Sequence, residues 1–205
     1  MPPRSKPREF PFFLPFTQLD LRQRPDLYRI GKGEQGVLSV EPYKSEILPL
    51  WKFKNPQAAT ESCRAISAKF QEYKAQRDFV GCDMARKFMQ MGYTRSRRYA
   101  NHKEPRKTGG KKYTTDASGK RTMIPRLELE DQDPDKVESA RIFAAGLEQL
   151  NADTVYAELK RKHLDEHESK DLDLTGIQVI TGVPEKRGGE AKGEIGKASK
   201  RARKS

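Results

Sequence analysis

The sequence predicts an α+β fold, mainly helical, in a single domain with a small β-hairpin sheet and a disordered basic tail. Three observations carry this expectation. Apolar residues recur at helical spacing behind the caps Asn55 and Asp78 and again after Pro134. Short apolar runs on either side of a glycine-rich turn, between Leu27 and Val40, read as two paired strands. The last twenty-odd residues hold charge, glycine and alanine, too little apolar surface to offset the entropy of ordering them.

The elements follow in chain order. Residues 1–9 are proline and charge and form a disordered leader. Phe10, Phe12, Phe13 and Phe16, interrupted by Pro11 and Pro15, read as an extended strap that pins the domain's start to the core; the domain runs over 10–183. Leu27, Tyr28 and Ile30 pair across the glycine turn with Val37, Leu38 and Val40. Asn55 and Pro56 open a helix whose Ala59, Cys63, Ile66, Phe70 and Tyr73 lie on one stripe. Asp78 opens a second, with Val80, Met84, Phe88 and Met91 on one face, and the two helices form an αα-hairpin. Residues 103–121 are a long basic loop by composition. Helical spacing returns through Val137, Ala140, Phe143, Ala144, Leu147 and Leu150 and continues to Leu159. Ile177 to Val183 reads as a last strand, and 184–205 as the disordered tail.

The 205 residues carry a formal charge of +12, with 34% hydrophobic and 34% charged residues, so the polar ends leave the core to the middle. No apolar run approaches the roughly 18 residues of a membrane span, which points to the cytoplasm or nucleus. Two cysteines, Cys63 and Cys82, are too few for a disulfide framework or a four-cysteine zinc site and read as reduced core thiols. No cofactor or metal is expected.

The chemistry is concentrated between Arg86 and Arg121, where twelve Lys and Arg meet only Glu104 and Asp116. On a helical wheel Arg86 eclipses Arg97 and Lys87 eclipses Arg98, two basic rows turned away from the Met84 and Phe88 stripe. Tyr93, Tyr99, His102 and Tyr113 are interleaved with the charges and offer ring faces for base stacking. Lys103, Arg106, Lys107, Lys111 and Lys112 form an arm that closes over a bound strand. The bland alternative is a solvated helix face, which leaves the scarcity of acidic residues unexplained. Arg95 falls on the apolar stripe if the helix continues, so either Gly92 ends the helix or Arg95 is half-buried beside an acidic group or a ligand phosphate.

Gly31, Lys32, Gly33 and Gly36, in GKGEQG, spell a phosphate-cradling turn, although the apolar residues that follow suit a strand and not the helix a dinucleotide site needs. His163, Glu166 and His167 spell an inverted zincin, but in an almost wholly charged segment that reads as a solvated helix end. Lys197, Lys200, Arg201, Arg203 and Lys204 suit a nuclear signal with an importin as partner.

The runs KGEQGVLSVEPYKSEILPLWKF and DFVGCDMARKFMQMGYTRSRRYANHK resemble the core of an uncharacterised microbial family described as a cytoplasmic protein or a domain of unknown function. The resemblance spans Phe16 to Leu159 and implies that the glycine turn and the basic helix belong to one module, with no activity attached. The expectation is non-catalytic binding of nucleic acid, RNA before DNA. Two rivals stand beside it: an enzyme acting on a phosphorylated small molecule through GKGEQG and Arg95, and a histone- or ribosome-associated interaction protein.

Overall fold

The computed structural model describes residues 10–102 and 113–180 of the chain. Among them are five α-helices, α1 (Tyr43–Ile47), α2 (Pro56–Ala75), α3 (Phe79–Ala100), α4 (Pro134–Asn151) and α5 (Thr154–His163). Two strands, β1 (Tyr113–Thr115) and β2 (Arg121–Met123), form one antiparallel sheet. The fold is α+β and mainly helical.

The caps anticipated from sequence start the helices. Asn55 accepts from the Ala58 amide at 2.9 Å, with Pro56 in the first turn of α2. The stripe below it buries Ala59, Ile66, Phe70 and Tyr73, each side chain stabilising by about 1.5–3 kcal/mol if its apolar area is large. Two residues past the end of helix α2, Arg77 takes a φ of 56° and sets a left-handed turn. The Asp78 amide then bonds the Tyr73 carbonyl at 2.9 Å and the Arg77 amide that of Lys74 at 3.0 Å, a Schellman closure. Asp78 at once caps α3 by accepting from the Gly81 amide at 2.9 Å. One residue thus fixes the corner of the αα-hairpin.

Helix α3 is the axle of the fold: α1, α2, α4 and α5 all pack on it. Its Val80, Met84, Phe88 and Met91 are buried as expected. It does not break at Gly92. A Cβ there would sit 2.5 Å from the Phe143 ring, so the glycine lets α4 approach closely while α3 runs on to Ala100. The helical pattern after Pro134 is divided in two, because Asp153 accepts from the Tyr156 amide at 2.9 Å and starts α5 anew. The same carboxylate receives the Lys74 ammonium at 2.6 Å.

The expected hairpin between Leu27 and Val40 is absent. Leu27, Tyr28 and Arg29 are buried in succession, with no alternation of faces, and the Arg29 guanidinium donates to the carbonyls of Asp26, Tyr28 and Lys170. A short 3-10 helix, Pro25–Leu27, and a series of turns replace the two strands. The sheet lies instead in the second half of the stretch read as a basic loop. Residues 177–180 carry no strand; there the Ile180 amide donates to the Phe13 carbonyl at 2.8 Å, tying this segment to the strap. Phe10, Leu14 and Phe16 of that strap are buried, while Phe12 and Phe13 stay partly exposed. The leader, the rest of the predicted last strand and the tail lie outside the described residues.

Candidate nucleic-acid interface

The two halves of α3 behave differently. In the first half the helix is enclosed on nearly every side, and the predicted exposed rows fail there. Lys87 is fully buried, and its ammonium donates to the Gln35 carbonyl at 2.8 Å and the Gly31 carbonyl at 3.1 Å. It also lies 3.7 Å from Asp83, one turn back. Arg86 donates to Asp83 at 2.9 Å and to the Tyr156 hydroxyl at 3.0 Å. Asp83 in turn accepts from the hydroxyls of Tyr28 and Tyr156.

Burial alone would raise the pKa of Asp83, but the charges of Lys87 and Arg86 and the two hydroxyls outweigh it and hold the carboxyl at about 2. Burial lowers Lys87 to about 8, opposed by the same carboxylate. Neither cation is available to a phosphate. They hold the loop 31–40 and helix α5 against α3.

The glycine turn is part of this arrangement. A Cβ on Gly36, whose φ is +85°, would meet the Phe10 ring at 2.5 Å. The carbonyls of Gly31 and Gln35 point at an ammonium, a polarity opposite to that of a phosphate cradle. Lys32 and Gly33 are exposed on the outer side of the turn, and Glu34 accepts from the Thr94 hydroxyl.

In the second half α3 is only partly covered: Ser96 and Ala100 stay fully buried, and the residues between them are half-buried. Tyr93 is 38% exposed. Arg95 is half-buried, as the second alternative expected, but makes no hydrogen bond or ion pair among the described residues, and the break at Gly92 does not occur. Arg97, also half-buried, reaches Gln132 only at 3.4 Å, and Arg98 is half-buried and engaged. The rings predicted to stack are less open. Tyr99 forms a T-shaped pair with Phe53, ring centroids 5.6 Å apart, and His102 is buried, its Nδ1 3.4 Å from the Pro125 carbonyl. Lys103, Arg106, Lys107, Lys111 and Lys112 fall outside the described residues, as do Lys197, Lys200, Arg201, Arg203 and Lys204.

Beyond α3 comes the ribbon β1–β2, with Tyr113 opposite Met123, Thr114 opposite Thr122 and Thr115 opposite Arg121. Every residue from Thr114 to Met123 is exposed. The Arg121 guanidinium lies 4.7 Å from the Tyr113 ring centroid. Sequence reasoning missed this element, although Thr and Tyr favour strands and Asp116 to Gly119 is a turn signature.

A cleft of about 390 Å³ lies elsewhere, lined by Arg22, Arg77, Asp78, Lys162, His163 and His167 among others. Its charges are paired: Arg22 with Glu46 and Asp78, Arg77 with Glu158, Lys162 with Glu166. His163, read from sequence as solvated, is 4% exposed and 3.1 Å from the Tyr28 carbonyl. Burial lowers its pKa to about 4, with His167 and Arg29 pushing the same way and the Tyr28 carbonyl and Asp83 opposing. No group of three metal-ligating side chains occurs among the described residues.

A consequence is a defined acid sensitivity. The folded pKa lies below the unfolded value of 6.5, so the contribution of neutral His163 is complete above pH 6.5 and is lost as the pH falls toward 4. Stability should drop by about 3 kcal/mol across that window, and His163→Gln should flatten it. Urea denaturation at pH 7, 5.5 and 4.5 measures this, and an unchanged midpoint in the wild type contradicts it.

The family model described as a domain of unknown function (DUF4385) matches residues 11–166. The chain belongs to that family. The matched span takes in the Asp83 network, the second half of α3 and the ribbon, while Phe10 and His167 lie just outside it. The KASKRARKS run lies outside it. No curated protein and no solved structure matches the chain. No helix of the described residues is long and apolar enough to cross a membrane.

Proposed function

We propose that the protein binds nucleic acid, without chemistry upon it, through phosphate contacts made by the outer half of α3 and the segment that follows. One observation carries the reading. With Arg86 and Lys87 withdrawn to Asp83, the span from Arg95 to Arg121 still holds ten Lys and Arg against two acidic residues, and it begins on the half-buried last turns of α3. Arg95, Arg97 and Arg98 stand on α3 and Lys120 and Arg121 on the exposed ribbon, and such an excess of one sign along one stretch of chain favours a polyanion. Of the rings that put RNA ahead of DNA, Tyr93 is exposed while Tyr99 is half-buried in a T-shaped contact with Phe53 and His102 is buried. Phosphate contact therefore outweighs stacking, and RNA loses its precedence over DNA.

The enzyme reading has less support. Neither the glycine turn nor Arg95 borders the 390 Å³ cleft, and the carbonyls of Gly31 and Gln35 are turned to Lys87. A docking protein for acidic surfaces shares the charge requirement and is separated from nucleic-acid binding by direct titration.

Arg97→Ala should lower the slope of log affinity against log salt by about 0.7–0.9, the value of one phosphate contact. Tyr93→Ala should leave that slope unchanged, and any stacking it provides shows as a salt-independent loss of about 1–3 kcal/mol. An Arg97→Ala protein with wild-type affinity and slope overturns the assignment of α3 to the interface.

A further inference from the structure

The ribbon β1–β2 is unexplained by the fold. An isolated two-stranded hairpin is marginal in water and is normally stabilised by packing one face on a core. Here both faces are solvated, since every residue from Thr114 to Met123 is exposed. Its local chemistry is nevertheless well specified. The Asp116 carboxylate accepts from the Ser118 amide and hydroxyl and from the Lys120 amide, and Gly119 takes the left-handed conformation at φ +83°, a three-residue turn with a glycine bulge. That turn also absorbs the only acidic residue between Tyr113 and Leu127. Its hydrogen bonds, that with Ser118 first, hold the carboxyl below its usual pKa, so it stays a constitutive anion facing the turn's own donors.

Residues directly opposite in an antiparallel pair share a face. One face therefore carries Tyr113, Thr115, Arg121 and Met123, and the stacking of Arg121 on Tyr113 agrees with this. The other carries Thr114 and Thr122. A guanidinium for guanine, hydroxyls for either base pair and a 71%-exposed methionine for the thymine methyl are the side-chain types that read base edges.

We propose that this ribbon enters the major groove of double-stranded DNA. The proposal rests on the nucleic-acid reading above and names its ligand. Two strands about 4.8 Å apart, with side chains on both sides, suit a groove about 12 Å wide. The major groove of an A-form RNA duplex is too deep and narrow for side chains to read, and a single strand would engage only one face. In the groove, Arg121 reaches a base edge on one side while the threonines face the opposite wall. The outer half of α3, at the other end of the connecting segment, meets the phosphates.

The test titrates the full chain with a DNA duplex, an RNA duplex of the same sequence and each single strand, at one physiological salt concentration. The DNA duplex should bind at least about tenfold more tightly than the others. Arg121→Ala on one face, and Thr114→Glu with Thr122→Glu on the other, should each weaken duplex DNA binding by about tenfold or more. Neither should move the melting temperature, because Thr114, Arg121 and Thr122 are all exposed. If RNA or single strands bind as tightly as the DNA duplex, or if both ribbon variants keep wild-type affinity, the groove proposal falls while nucleic-acid binding stands. If the wild type binds none of the four ligands, both readings fall.

Discussion

Replacing Asp83 by alanine should destabilise the protein by about 3–5 kcal/mol, because it leaves a buried charge without its counter-ion. The Lys87 ammonium would keep two backbone carbonyls but lose the carboxylate 3.7 Å away, and the hydroxyls of Tyr28 and Tyr156 would lose their acceptor. Urea denaturation should show the midpoint falling with little change of slope. Lys87→Met should also destabilise, by about 1–3 kcal/mol, since the Gly31 and Gln35 carbonyls then lack a donor. The double variant should lose less than the sum of the two, because each removes the same ion pair. Acid should reproduce the effect in part. The folded pKa of Asp83, about 2, lies below its ordinary 3.8, so its contribution is full above pH 4 and lost as the pH falls toward 2, below the window of His163. Strict additivity of the two substitutions would show that the network is not a unit.

Neutralising Arg95, Arg97 and Arg98 together, as glutamine, should weaken nucleic-acid binding about 10²-fold at physiological salt and lower the salt slope by about 2–3. Stability should fall far less than in the Asp83 variant, for none of the three is fully buried and none pairs with Asp83. The contrast with Asp83 is the point of the experiment: two basic stretches of one helix, eight residues or more apart along the chain, serve folding in the first case and binding in the second. A melting temperature lowered as far as that of the Asp83 variant would place the three arginines in the fold instead.

Much of this division was legible before the structure, and the errors have identifiable causes. The Asn55 and Asp78 caps and the stripes they open were read from side-chain chemistry that acts within one turn. The exposed row at Arg86 and Lys87 was misread because the helical wheel was measured from the Met84 and Phe88 stripe alone. Nothing local announces that α3 is surrounded, yet Asp83 at three and four positions before Arg86 and Lys87 was a visible ion-pair spacing. The false hairpin arose from β-branched composition; Leu27, Tyr28 and Arg29 instead point inward in succession, satisfied by long-range partners such as Asp83 and the Lys170 carbonyl. The true ribbon was hidden in glycine- and lysine-rich sequence whose average favours a loop, while its Asp116 to Gly119 turn was specific. His163 is buried by contacts to Tyr28 and Phe79, far away in sequence, which no reading of its charged neighbours supplies.

The most direct measurement of the central claim is the affinity of the intact chain for nucleic acid as a function of salt. Binding tighter than about 10⁻⁴ M at physiological salt, weakening linearly on a log–log plot as counterions compete, is the predicted result. Affinity weaker than that for every form of DNA and RNA would contradict it, and the excess charge from Arg95 to Arg121 would then have to serve another acidic partner.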